Sequence, residues 1–379
     1  MKILFRLGCG FLLLAIASGV LMAQTPDGKW VVKLDPSLDQ LVAPNAKLEP
    51  VKVDYFGRLE GPIWYREGDK GYLLFSEVAG NTIDKWEPTC AKYPCRADEG
   101  RLSIYEKNAG FRGKDISDVG VITYNGRLWI IHGGPIGLAL DPQNRVLIAA
   151  FGDRAVERIE KDGSRTVVAD HYDGMRLSCP NDIAVKSDGT IYFSDGPVAC
   201  LRGGEKDPAR ELPYHALFMV KDEKVILLDK DNPGVNGVEL SPDEKTLYVT
   251  GGRRSLLAYD VQADDTVTNR RLFIDESKEA QAEAGIQPSQ GPTGQTSVPL
   301  GIPDGIRTDS KGNVWVGGPG GVWIISPQGK HLGTILAPNT PEGDQFTSHA
   351  FGDDGKTLYI VGGRDVYRIR VRVTGRMWK

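Results

Sequence analysis

From about residue 60 the chain repeats one arrangement of apolar and polar positions. A short apolar run leads into a turn rich in Asp, Gly, Pro, Asn or Lys; an apolar–aromatic–apolar stretch follows and ends on small or polar residues. The unit reads IWYREGDKGYLLFSEV at 63, LALDPQNRVLIAAFG at 138, IAVKSDGTIYFSDG at 183, VELSPDEKTLYVTGG at 238, IRTDSKGNVWVGGP at 306 and AFGDDGKTLYIVGG at 350. Each copy predicts two short antiparallel strands joined by a tight turn. Val, Ile, Tyr and Phe suit a pleated, half-buried surface, and Asp, Gly and Asn reverse the chain cheaply. Further short strands, such as ALFMVKDEKVILLD and GVWIISPQGKHLGTIL, stand between copies, enough to complete a four-stranded sheet per copy.

Six such sheets in a row have few ways to bury their faces. A radial arrangement does so and leaves only short edges, so the pattern predicts an all-β fold, a six-bladed β-propeller. A pair of β-sandwiches or a solenoid is the competing architecture. Closing the ring calls for an early segment, around KLEPVKVDYFG, to add the outer strand of the last sheet. Residues 24–379 then read as one domain with two insertions, about 86–118 and 286–303, the second rich in Pro, Gly, Gln, Ser and Thr and running straight into PDG. It reads as a solvated connector or as a lid.

The first residues break the pattern. MKILFRLGCGFLLLAIASGVLMAQ has a basic start, an apolar run from Leu7 to Met22 and small residues at its end, the grammar of a signal peptide over residues 1–23. An uncleaved anchor is the alternative, but glycines and serine interrupt the run and it is short for a span. The expected location is therefore periplasmic or secreted, with no membrane partner after cleavage. Export changes how the cysteines read: without Cys9, four remain, Cys90, Cys95, Cys179 and Cys200, and an even number in an exported chain suggests disulfides. Cys90 and Cys95 flank AKYP, which a bridge would staple; buried free thiols are the alternative. A net charge of −4 with no basic block argues against nucleic acid.

The candidate chemistry stands at the head of the copies. EGP with Glu60 precedes the first, PND with Asn181 the third, GVNG with Asn236 the fourth and PDG with Asp304 the fifth. In a propeller the innermost strand of each blade starts near one mouth of the central channel, so equivalent positions converge on the axis. Two carboxylates and two amide oxygens facing one another would repel and lose hydration, and a divalent cation resolves both problems. An all-oxygen donor set selects a hard ion, Ca2+ first and Mg2+ second, and the lack of His or Cys argues against softer metals; Zn2+ and Mn2+ are the remaining alternatives. Taken singly, each motif is an ordinary turn; their shared position in the repeat is what singles them out. Arg176, in the loop ahead of Asn181, is placed to reach a substrate or else to form a surface ion pair. Asp195, after YFS, is a weaker candidate for a second ion or a structural turn. Ser76 and Ser194 lack a nucleophile elbow, and the five His form no dyad.

EGPIWY, GLALDPQNRVLIA, RLSCPNDIAVKSDGTIYFSDG, VNGVELSPDEKTLYVT, IPDGIRTDSKGNVWVGGPGGVWIISPQGKHLG and AFGDDGKTLYIVG together carry a resemblance. The chain resembles the senescence-marker-protein/gluconolactonase family, which includes regucalcin and is similar in fold to diisopropylfluorophosphatase, over about residues 56 to 370. The resemblance implies a six-bladed propeller with one catalytic divalent cation held by Glu60, Asn181, Asn236 and Asp304, and hydrolysis of a small-molecule sugar lactone. An open position on that cation makes Asp304 the candidate general base, sharing the load with metal-bound water because a carboxylate on a cation is a poor base, with Asn181 and Arg176 toward the substrate. The chain departs from the family pattern at PIGLALD, where Asn often precedes the Gly, at Ser178 and Cys179 in RLSCPND, and at His349. Those departures bear on the substrate more than on the metal. The same site would serve hydrolysis of another ester or a phosphotriester, and a calcium-binding scaffold without turnover is the alternative of a different class.

Overall fold

In a computed structural model the protein is a six-bladed β-propeller. The structure describes residues 30–376 except 69, 91–94, 114–121, 125–126, 130–132, 197, 252–253, 277–288, 291–295, 298–302 and 339–345. The six four-stranded units begin with the inner strands Leu59–Glu67, Pro135–Leu140, Pro180–Val185, Val238–Leu240, Ile306–Thr308 and Ser348–Gly352. Each inner strand packs beside the next around the ring, the sixth against the first. Every copy of the sequence repeat is the first hairpin of a blade. Its turn is set by short polar side chains: Asp309 Oδ1, for example, accepts from the backbone N–H of Lys311 and of Asn313.

Burial falls from axis to rim, and this gradient is why the first hairpin is the legible part. Pro135–Leu140 and Pro180–Val185 are buried along their whole length, whereas the outer strand Val267–Asp275 is mostly exposed or half-exposed. The apolar faces meet between blades. Ile63, Leu74 and Ile83 of the first blade pack with Leu138, Val146 and Ile148 of the second; Leu59, Leu73 and Phe75 pack with Tyr359 and Val361 of the sixth. Trp315 and Ile324 of the fifth blade meet Phe351 and Ile360 of the sixth, so the core is a ring of inter-blade seams.

The ring closes as the pattern requires: Leu48–Lys52 pairs antiparallel with Asp365–Arg370 and becomes the outer strand of the last blade. A second N-terminal strand, Val31–Lys33, adds a fifth strand to the fifth blade by pairing with His331–Leu336. The segment around 86–118, read from sequence as an insertion, is in part blade: Thr82–Pro88 and Gly100–Lys107 are the third and fourth strands of the first blade. GRLSIYEK lies at the exposed rim and carries too few apolar residues to show the repeat. Most of 286–303 lies outside the described residues; of the described ones, Ser289–Gln290 pairs antiparallel with Thr296–Ser297. The leader, residues 1–23, also lies outside them. Two disulfides, Cys90–Cys95 and Cys179–Cys200, use all four cysteines beyond the leader.

Candidate active site

At the mouth where the inner strands begin, six blade positions close around a cavity of about 10 Å³, the space of one water-sized ligand. Glu60, Asn181, Asn236 and Asp304 line it together with Ile136 of the second blade and Ser348 of the sixth. The four oxygen-bearing residues singled out by sequence are thus brought together. Ile136 stands where the family pattern often has Asn, and it makes the second blade's share of the wall apolar.

The residue after each ring position explains how the blades come this close. It is Gly61, Gly137, Gly237 or Gly305 in four blades. A Cβ on Gly237 would lie 2.2 Å from the carbonyl oxygen of Asp304, and one on Gly61 would lie 2.1 Å from that of Ile136. Only a missing side chain lets one blade's backbone rest on the next blade's ring residue. Gly61 also sits at φ +49° in a bulge between Glu60 and Ile63, which turns Glu60 onto the ring. In the third blade the position is Asp182, whose carboxylate instead ties the seam by accepting from Ile183 N–H at 2.9 Å and Val238 N–H at 3.0 Å.

Hydroxyl groups complete these blade-to-blade ties. Ser76 Oγ donates to Ile136 O, Ser194 Oγ to Asn236 O at 2.5 Å, and Thr250 Oγ1 to Asp304 O at 3.1 Å. Ser76 and Ser194 are therefore engaged in holding ring backbone, which explains serines at strand ends without nucleophile geometry. Asp195 is fully buried and accepts from the N–H groups of Ser178 and Cys179, fixing the loop that delivers Asn181; it is the structural turn of the two roles considered for it. Burial pushes its carboxyl up to about 6, and those two N–H groups pull the other way.

The electrostatics of the ring are unfavourable as the chain alone provides them. Glu60 and Asp304 are both almost completely buried. Burial pushes the Glu60 carboxyl up, with Arg58 opposing. Asp304 is pushed well above the ordinary carboxylate value, first by burial and then by the charge of Glu60. Asn236 bonds Asp304 through its side chain, and its own Oδ1 is buried without a hydrogen-bond partner. A ring of two crowded carboxylates and an orphaned amide oxygen fits a hard cation completed by water. Among the described residues no group of three or more His, Cys, Asp or Glu is arranged to hold a metal ion, and the ring's own oxygen donors are two carboxylates and two amides.

Two sequence-predicted neighbours sit apart from the ring. Arg176 Nη2 donates to Asp153 O and its backbone N–H to Glu211, in a two-residue strand at the side of the third blade. His349 is fully buried, and its Nε2–H donates to Trp315 O at 3.0 Å, with burial lowering its pKa to about 3. The arginine beside the carboxylates is Arg58, which sequence reading passed over: its Nη2 lies 3.0 Å from Glu60 Oε1.

The family model described as SMP-30/Gluconolactonase/LRE-like region matches residues 58–364. The chain belongs to this family. A gluconolactonase of Zymomonas mobilis is 29% identical over 350 residues, 91% of this chain and 87% of that protein. Regucalcin of Xenopus laevis is 23% identical over 85% of this chain and 88% of its own length. Among solved structures, a Xanthomonas campestris gluconolactonase aligns with TM-score 0.66 at 24% identity, covering 90% of this chain and 94% of that one. A calcium-binding protein, regucalcin, from Agrobacterium tumefaciens aligns with TM-score 0.60 at 16% identity, covering 88% and 96%. At these identities the structural likeness speaks to the fold, and the SMP-30/gluconolactonase fold is the six-bladed propeller found here.

Proposed function

We propose that this SMP-30/gluconolactonase protein is a metal-dependent hydrolase that opens a sugar lactone at the ring of Glu60, Asn181, Asn236 and Asp304. The observation that carries the reading is the convergence of these four oxygen donors, two of them carboxylates, in one buried ring with Asn236 Oδ1 unpartnered. The gluconolactonase relative over 91% of the chain supports the substrate class. The oxygen-only donors, and a structural neighbour described as calcium-binding, support Ca2+ over Mg2+ and over Zn2+ or Mn2+.

Held by Glu60, Asn181, Asn236 and Asp304, a cation would supply Lewis acidity toward the lactone carbonyl. Asp304 takes a proton from the attacking water. As the carbonyl re-forms, the ring C–O bond breaks, the leaving alkoxide takes up that proton, and the hydroxy acid released ionises at neutral pH. Asn181 and Asn236 would complete the cation's donor set with their amide oxygens, Asn181 also standing toward the substrate, and Ile136 lines one wall with an apolar side chain. The two disulfides and the leader support a periplasmic or secreted protein.

A panel of aldonolactones assayed by proton release, with and without EDTA, tests the reading. Turnover of at least one lactone is expected, abolished by EDTA and restored by Ca2+. A protein that holds its metal and turns over no lactone or ester would be the scaffold instead.

A further inference from the structure

We propose that His215 is a positioning residue for Asn236: its Nδ1 holds the backbone two residues ahead of that ligand, the task that the carboxylates of Glu77 and Asp195 perform for Glu60 and Asn181. The inference rests on the proposed cation site and adds the group that sets the fourth blade's share of it.

The same tie recurs ahead of three ring residues. Glu77 Oε1 accepts from the N–H groups of Gly57 at 2.8 Å and Arg58 at 3.1 Å, three and two residues ahead of Glu60. Asp195 accepts from those of Ser178 at 2.8 Å and Cys179 at 2.6 Å, three and two residues ahead of Asn181. The two carboxylates are equivalent in the blades: each follows the serine that ties the next blade, and each lies opposite the residue just before the ring position, Leu59 or Pro180. In the fourth blade the residue after Thr250 is Gly251, which has no side chain to offer, and a Cβ there would lie 2.4 Å from Asn232 Oδ1. Three residues ahead of Asn236 stands Pro233, without an N–H. The N–H two residues ahead is that of Gly234, and it donates to His215 Nδ1 at 2.7 Å. The second blade, whose ring residue Ile136 has no side-chain oxygen, has Ala150 opposite Pro135, a side chain with no acceptor. In these four blades the acceptor accompanies the oxygen-bearing ring residue.

The imidazole is held for this role at both nitrogens. Accepting at Nδ1 requires the ring hydrogen on Nε2, and Nε2 lies 2.6 Å from Glu205 Oε1, which takes that hydrogen. Arg210 pairs with the other carboxylate oxygen of Glu205. The His215 side chain is 15% exposed and packs on Gly196, where a Cβ would lie 3.0 Å from its Cγ. Gly234 sits at φ +70° in the turn between the third blade's outer strand, Lys224–Asp229, and Asn236, so its bond to His215 sets where the chain enters the ring.

Calorimetry of Ca2+ into the metal-free whole protein, with melting temperatures measured alongside, tests this for the parent, His215→Phe, His215→Ala and His215→Asn. Phe keeps the shape of the ring and Ala cannot overfill the site; both remove the acceptor. Asn carries Oδ1 where His carries Nδ1 and gives up the contact with Glu205. His215→Phe and His215→Ala are expected to bind Ca2+ about fivefold more weakly, the scale of one lost backbone hydrogen bond. His215→Asn is expected to regain most of that affinity, so Ca2+ affinity follows the acceptor whatever the order of melting temperatures. Parent-like Ca2+ affinity in both acceptor-free variants, affinity in His215→Asn as weak as theirs, or a parent that binds no Ca2+ would each overturn the inference. The proposed function fails separately: a set of proteins that binds Ca2+ in the expected order while the parent hydrolyses no lactone removes the enzyme and leaves the positioning role of His215 standing.

Discussion

Asp304→Asn is expected to lower lactone turnover by about a hundredfold or more at saturating Ca2+, the scale of losing a general base. The substitution keeps size and one oxygen ligand and removes charge and basicity. It spares the backbone contacts that place the residue: Asp304 N–H donates to Gly317 O at 2.8 Å, and Asp304 O accepts from Thr250 Oγ1. Melting temperature in the metal-free form should hold or rise, because a buried carboxylate facing Glu60 is relieved. Steady-state rates across a Ca2+ series decide the role. A hundredfold deficit that persists at saturation assigns proton transfer to Asp304. Full recovery with excess Ca2+ would leave it a coordination position only.

The second large effect is structural. Replacing Cys179 and Cys200 together with Ser is expected to cost about 3 kcal/mol of stability, the usual scale for a bridge closing a loop of this length. The bridge spans a sequence separation of 21 and is buried among Val78, Ile136 and Phe151. It lies two residues from Asn181, in the loop whose Ser178 and Cys179 N–H groups bind Asp195. Losing it therefore removes both unfolded-state restraint and the anchoring of one ring ligand, and Ca2+ affinity should fall along with stability. Denaturant unfolding with Ca2+ titration of the double variant checks this. Unchanged stability together with unchanged Ca2+ affinity would show that Asp195 alone fixes the loop.

What the sequence made legible follows from where it was periodic. The inner hairpins are buried on both faces, so their apolar signature is strong, and equivalence between copies put Glu60, Asn181, Asn236 and Asp304 on one ring before any coordinates. The outer strand Gly100–Lys107 escaped because an exposed rim strand needs no such signature. Val31–Lys33 escaped because a three-residue strand carries too little pattern to assign a partner 300 residues away. Pairing of Cys179 with Cys200 depends on a contact made by strand pairing, since Pro180 lies opposite Asp195 and Gly196 N–H bonds Cys179 O; sequence separation alone does not report it. Arg58 stood outside the repeat, with no equivalent in other blades to draw attention to it. Arg176, though near Asn181 in sequence, is turned to Asp153 and Glu211 by the small hairpin that carries it.

The central claim is that four oxygen donors on the propeller axis hold one hard cation, and titration calorimetry of Ca2+ into the metal-free protein tests it most directly. The expected result is a single site with one ion per chain, weakened by about tenfold or more in Glu60→Gln, where the charge of a ligand is removed with little change of shape. No binding by the parent, or equal binding by Glu60→Gln, would contradict the account.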